Sequence, residues 1–126
     1  MPITLQWYND EKRILIQEFT GNWSLDEYYP IIDESFTRAE ASPYTIFMIS
    51  DHTNNTSPPT RLLSIAGYMN KRTSDNTQLQ IVIGANTFIK TLAKIGEKFA
   101  PKATKDLRWV NTFDEALNLI ENYETA

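Results

Sequence analysis

One short run constrains the fold of this chain more than any other stretch: Tyr44-Thr45-Ile46-Phe47-Met48-Ile49, bounded by Pro43 and Asp51. It is too brief for an ordinary helix and rich in β-branched and aromatic residues. A segment apolar on both alternating faces must be covered on both, which is the situation of an interior strand in a mostly parallel sheet. Leu79 to Ile83 has the same character, and Leu107-Arg108-Trp109-Val110 reads as a final short strand.

The segments between these strands carry helical periodicity. Ser24-Leu25-Asp26-Glu27 is a capping box, in which the serine hydroxyl bonds the amide of Glu27 and the glutamate reaches back. Leu25, Tyr28, Tyr29, Ile32 and Phe36 then form one apolar stripe. Pro30 interrupts it, having no amide to bond the carbonyl of Asp26, and predicts a kink. Pro58 and Pro59 open a second helix with Leu62, Ile65, Ala66 and Met69 on its buried side. A third, capped by Asn86 or Thr87, carries Phe88, Leu92, Ile95 and Phe99 and stops at Pro101. Thr112-Phe113-Asp114-Glu115 is a second capping box, starting a helix through Ala116, Leu117, Ile120 and Tyr123.

At the start, Ile3 to Tyr8 alternates apolar and polar residues, Asn9 to Lys12 is turn chemistry, and Arg13 to Phe19 resumes the strand pattern. So short a link makes an antiparallel hairpin, because a parallel crossover needs about a dozen residues or more. The order is therefore ββαβαβαβα: an α/β chain with a single mixed, mostly parallel five-stranded sheet and right-handed crossovers. At 126 residues, 41% hydrophobic, residues 1–126 are expected to form one domain around one core.

Composition removes several kinds of chemistry. There is no cysteine, so disulfides, thiolate nucleophiles and thiolate-held metals are excluded, and with His52 the only histidine no multi-histidine zinc site exists. No glycine-rich phosphate loop occurs either, so no metal, cofactor or catalytic set is expected. The first residues lack the basic start and long apolar run of a signal peptide, and no stretch reaches the roughly 18 apolar residues of a membrane span. The expected location is cytoplasmic.

Charge is uneven. Residues 1–60 hold three bases against nine acids, net −6, whereas residues 84–110 hold six bases against two acids, net +4. The total of −4 disfavours nonspecific nucleic-acid binding, and the asymmetry can orient a protein partner, a second copy of the chain included. Lys90, Lys94 and Lys98 recur every four residues on one face of the third helix, either as an ordinary solvated face or as a patch for an acidic partner. Trp23 and Tyr28, near the first helix start, either join the core margin or anchor an interface.

A ligand in an open α/β sheet usually sits beyond the carboxyl ends of the strands. The polar stretch after the central strand lies there, and Asp51, His52, Asn54, Asn55 and Ser57 supply a carboxylate, an imidazole, two amides and a hydroxyl. Its simplest reading is a solvated loop of Asx-turns, with Ser57 capping the next helix. Asn86 and Thr87 stand at a second helix start on the same edge, where free amides can hold an anion.

The element order, the Gly21-Asn22-Trp23-Ser24 entry to the first helix, the apolar strand ending in Asp51, and the tail from Arg108 to Leu117 resemble the STAS fold of anti-sigma-factor antagonists and sulphate-transporter tails. The closer likeness is to the SpoIIAA-like family. It implies a binding or regulatory domain that associates with protein, not an enzyme. In the antagonists, the central strand leads to Asp-Ser and a glycine-containing turn, and phosphate on that serine disrupts docking on a partner kinase. Asp51 matches the aspartate; the serine position holds His52, and the following loop is longer and lacks glycine.

Overall fold

A computed structural model describes residues 2–57, 61–72, 76–84, 87–99 and 106–125. The strands are β1 (Ile3–Trp7), β2 (Ile14–Gly21), β3 (Ile46–Asn55), β4 (Thr77–Ile83) and β5 (Leu107–Val110); the helices are α1 (Leu25–Ala41), α2 (Leu62–Arg72), α3 (Thr87–Phe99) and α4 (Phe113–Thr125). They form one sheet in the order β1-β2-β3-β4-β5. β1 pairs antiparallel with β2, and every later pair is parallel. β3 is interior, with Ile46 to Ile49 fully buried, as an apolar run covered on both faces requires.

Strands laid down in sequential order, joined by crossovers of one hand, place their helices on one face. Ile32, Phe36 and Ala39 of α1, Leu62 and Ile65 of α2, and Ile89 of α3 pack on Leu15, Phe19, Ile46, Met48 and Val82 of the sheet. On the other face, among the described residues, α4 provides the cover: Ala116 and Ile120 lie against Ile16, Phe47, Ile49, Leu79, Ile81 and Ile83. Leu92 and Ile95 of α3 pack at the margin of the first core, as their spacing predicts.

Both caps form. Ser24 Oγ accepts from the Glu27 amide at 3.3 Å and Glu27 accepts from the Ser24 amide at 3.0 Å. At α4, Thr112 Oγ1 accepts from the Glu115 amide at 3.1 Å, but the Glu115 carboxylate reaches one residue further back, to the amide of Asn111. α1 runs through Pro30 without ending.

The main departure from the sequence reading concerns residues 51–55. They are not a loop: β3 continues through Asp51, His52, Thr53, Asn54 and Asn55. Tyr44, expected at its start, is outside the strand and 53% exposed. These polar residues have weak intrinsic preference for a strand. They are extended because β2 is longer than expected and offers them a partner, pairing Thr20 with Asn54 and Gly21 with Asn55. α2 begins at Leu62, so Ser57 is not its cap; Pro58 and Pro59 lie outside the described residues.

Candidate functional site

The carboxyl end of β3 is organised by a bulge. Glu18 pairs with Asp51, yet Thr20, two residues on, pairs with Asn54, three residues on. One extra residue on β3 shifts the alternation of side chains. Without it, positions 52 and 55 would point to opposite faces of the sheet. With it, His52 and Asn55 are both buried on one side, and Asn55 Nδ2 lies 3.0 Å from His52 Nδ1.

The surrounding donors fix the chemistry of that contact. Asn55 Oδ1 accepts from Trp23 Nε1 at 3.0 Å and from the Ser57 amide at 2.8 Å. Both partners only donate, so the oxygen of the amide must face them and its nitrogen must donate to His52. His52 Nδ1 is therefore the acceptor, and the neutral ring carries its proton on Nε2. Ser57 Oγ accepts from the Trp23 amide at 3.0 Å, and the Thr56 amide donates to the carbonyl of Gly21 at 3.0 Å. The segment after β3 is thus clasped onto the turn that leaves β2, where Gly21 takes a left-handed φ of 66°.

Aromatic rings close the clasp from beneath. His52 stacks on Phe19 with ring centroids 4.2 Å apart and planes 10° from parallel. Trp23 lies 5.2 Å from Phe19 and 5.4 Å from Tyr28. Burial pushes the His52 imidazole down to about 3 and the Tyr28 hydroxyl above its ordinary value. Beside them a second polar chain crosses the sheet: Ser50 Oγ donates to Gln17 Oε1, Gln17 Nε2 to Ser35 Oγ, and Ser35 Oγ to the carbonyl of Ile31, all within 2.8 Å. The space that Gln17, Ser50 and His52 share with Ile65, Met69 and Leu92 is about 20 Å³, enough for one water molecule and not for a substrate.

No family model and no curated protein matches this chain. Among solved structures it is similar to an uncharacterised protein of the DUF3478 family with a SpoIIAA-like fold from Shewanella loihica PV-4: TM-score 0.60, 14% identity, 93% of this chain and 90% of that one covered. The fold is SpoIIAA-like.

Within this SpoIIAA-like frame, the residues singled out in the sequence fall into separate places. Asp51 lies on the strand, its Oδ1 accepting from the amide and hydroxyl of Thr53 at 3.0 and 2.6 Å. Asn54 is exposed opposite Thr20. His52, Asn55 and Ser57 are joined to Trp23, for which the sequence leaves both the core margin and an interface open. Tyr28 is 3% exposed and belongs to the core, not to an interface. Asn86 lies outside the described residues, as do the side chains of Thr87, Phe88 and Phe99. Lys90, Lys94 and Lys98 are all exposed on α3.

A second concavity is at the other end of the sheet. A cleft of about 780 Å³ lies between the β1–β2 turn and the end of α1, lined by Trp7, Asp10, Glu11, Lys12, Arg13, Arg38 and Ala41 to Tyr44. Sequence reasoning missed it because its residues come from three segments, none with a recognisable motif. The one usable signal was distributional: these are the places where the acid-rich first half keeps its bases.

Proposed function

We propose that this chain is a non-enzymatic binding domain that works through its surface, with a second copy as the first partner to test. The observation that carries this reading is the closure of the carboxyl-edge network: His52, Asn55, Ser57 and Trp23 bond to one another and leave a space of about 20 Å³. Residues of the kind that run general acid–base chemistry are here used to fasten one strand end to a turn. A small-molecule or anionic ligand at residues 51–60 draws no support from that arrangement.

Charge on the helical face favours self-association. α1 exposes Asp26, Glu27, Asp33, Glu34 and Glu40 against the single base Arg38. Arg72 of α2 bridges Asp33 and Glu40 at 3.5 and 2.5 Å and offsets part of that charge. α3 exposes its lysine row at the other side of α2. Two copies related by a twofold axis would set each α1 against the partner's α3, a self-complementary pairing. Such steering raises association rates and weakens with salt.

Light scattering across protein concentration, at low and high salt, tests the reading. Molar mass should rise towards twice that of one chain at low salt and fall back at high salt. Replacing Lys90, Lys94 and Lys98 together by glutamate should hold the protein monomeric. A strict monomer at every concentration, indistinguishable from the triple variant, would remove self-association.

A further inference from the structure

α2 lies between α1 and α3 on the helical face of the sheet, and both its flanks are engaged. Tyr68 donates to Asp33 of α1, Arg72 bridges Asp33 and Glu40, and Ala66 and Met69 pack with Ile95 of α3. Leu62 and Ile65 point into the core. The crest turned away from the sheet runs through Leu63, Gly67 and Lys71, each one helical turn from the next.

Leu63 is 59% exposed, more than any other large apolar side chain among the described residues. A lone exposed leucine needs no explanation, but the glycine beside it does. Gly67 sits in the middle of α2, where glycine is the poorest helix former after proline. Its φ is not positive, and a Cβ added at position 67 would meet no atom within 4 Å among the described residues. Alanine would therefore suit the single chain better. A glycine that the helix's own packing does not need leaves room for another backbone to come close.

Charge decides which backbone that is. With Arg72 counted, α1 and its border with α2 expose five acids against two bases, net −3. α3 exposes Lys90, Lys94 and Lys98 against Glu97, net +2. A second copy turned about a twofold axis along α2 lays α2 on α2 and each α1 over the partner's α3. An axis across α2 would instead lay acid on acid and base on base. Lys71 meets its own copy at one end of the crest, so the two helices diverge there and approach most closely one turn earlier. We propose that α2 is the seam of a twofold dimer, its two copies crossing at Gly67 with Leu63 of each against the other. This rests on the self-association reading and adds to it the direction of the axis and the point of crossing.

The chain has no cysteine, so Gly67→Cys carries a single thiol. A disulfide forms only where two Cα atoms come within about 7 Å, which requires the two α2 helices to meet at that residue. Under mild oxidation at low salt most of this variant should become a covalent dimer. Asn118→Cys, exposed on α4 of the other face, should stay monomeric. Cross-linking at position 67 should fall about fivefold at high salt, and as far when Lys90, Lys94 and Lys98 are all replaced by glutamate. Gly67→Leu, whose Cβ enters open space, should keep or raise the urea midpoint yet weaken association about tenfold by sedimentation. A dimer that Gly67→Leu leaves intact and Gly67→Cys does not link would overturn the seam and leave self-association standing. A strict monomer would overturn both and leave the crest to a different protein. Cross-linking indifferent to salt and to the lysine substitutions would overturn the axis that charge selects.

Discussion

At the carboxyl end of β3, His52 and Asn55 are 5% and 6% exposed and face each other, while at the amino end Lys12, Arg13 and Arg38 border an open cleft beside Trp7 and Tyr44. The first group looked more like a site in the sequence, since an imidazole, a carboxylate and amides follow a central strand where ligands usually sit. The second contains no motif at all. What separates them is enclosure. A buried amide that accepts from Trp23 and Ser57 and donates to His52 is fastening the chain, whereas the residues at the amino end, with Arg13 against the Tyr44 ring, border a concavity open to solvent.

The sharpest way to break this comparison is at Asn55. Asn55→Ala strands the donors of Trp23 and Ser57 and the acceptor of His52, and should cost roughly 2–3 kcal/mol in urea denaturation. Asn54→Ala, one residue away on the exposed face, should stay within about 0.5 kcal/mol. Equal effects would mean that the network is not what holds the strand end.

Next comes pH. The folded-state pKa of His52 is depressed to about 3, below the ordinary 6.5, so the unfolded chain binds a proton that the folded chain refuses. Its contribution to stability is complete above pH 6.5 and is lost as pH falls towards 3. By pH 5 the loss should be about 2 kcal/mol. His52→Gln should flatten the slope between pH 7.5 and 5, measured by urea midpoints; an unchanged slope would place the titrating group elsewhere. The smallest effect belongs to the opposite end: Lys12→Gly should stabilise the fold by roughly 0.5–1 kcal/mol, because glycine accepts φ 54° without steric cost. A loss of stability would show that the lysine side chain contributes contacts that outweigh its strain.

Much of the fold was legible because local signals agreed with one another. The run through Ile46–Ile49 is interior, the opening hairpin is antiparallel, and the Ser24–Glu27 box caps α1. Residues 51–55 were illegible for a physical reason. In Asp-His-Thr-Asn-Asn only the threonine favours a strand; the extension exists because β2 continues to Gly21, and the bulge that brings His52 beside Asn55 is a property of the pair, not of either strand. The same holds for α3, where Ile89 is buried beside the expected Leu92 and Ile95 stripe. The cleft was hidden in a third way, since Trp7, Arg38 and Tyr44 are brought together only by the turn and the end of α1.

The division of cover between the two faces has a consequence for how the chain is made. α1, α2 and α3 each follow directly on a strand they cover, so that face is completed piece by piece as synthesis proceeds. Phe47, Ile49, Ile81 and Ile83 on the reverse face wait for Ala116 and Ile120 of α4. On the ribosome, the greasy underside of β3 has to remain bare while some sixty further residues are added. α4 is therefore less a lid on a finished sheet than the step that takes its reverse face out of reach of water and of other chains.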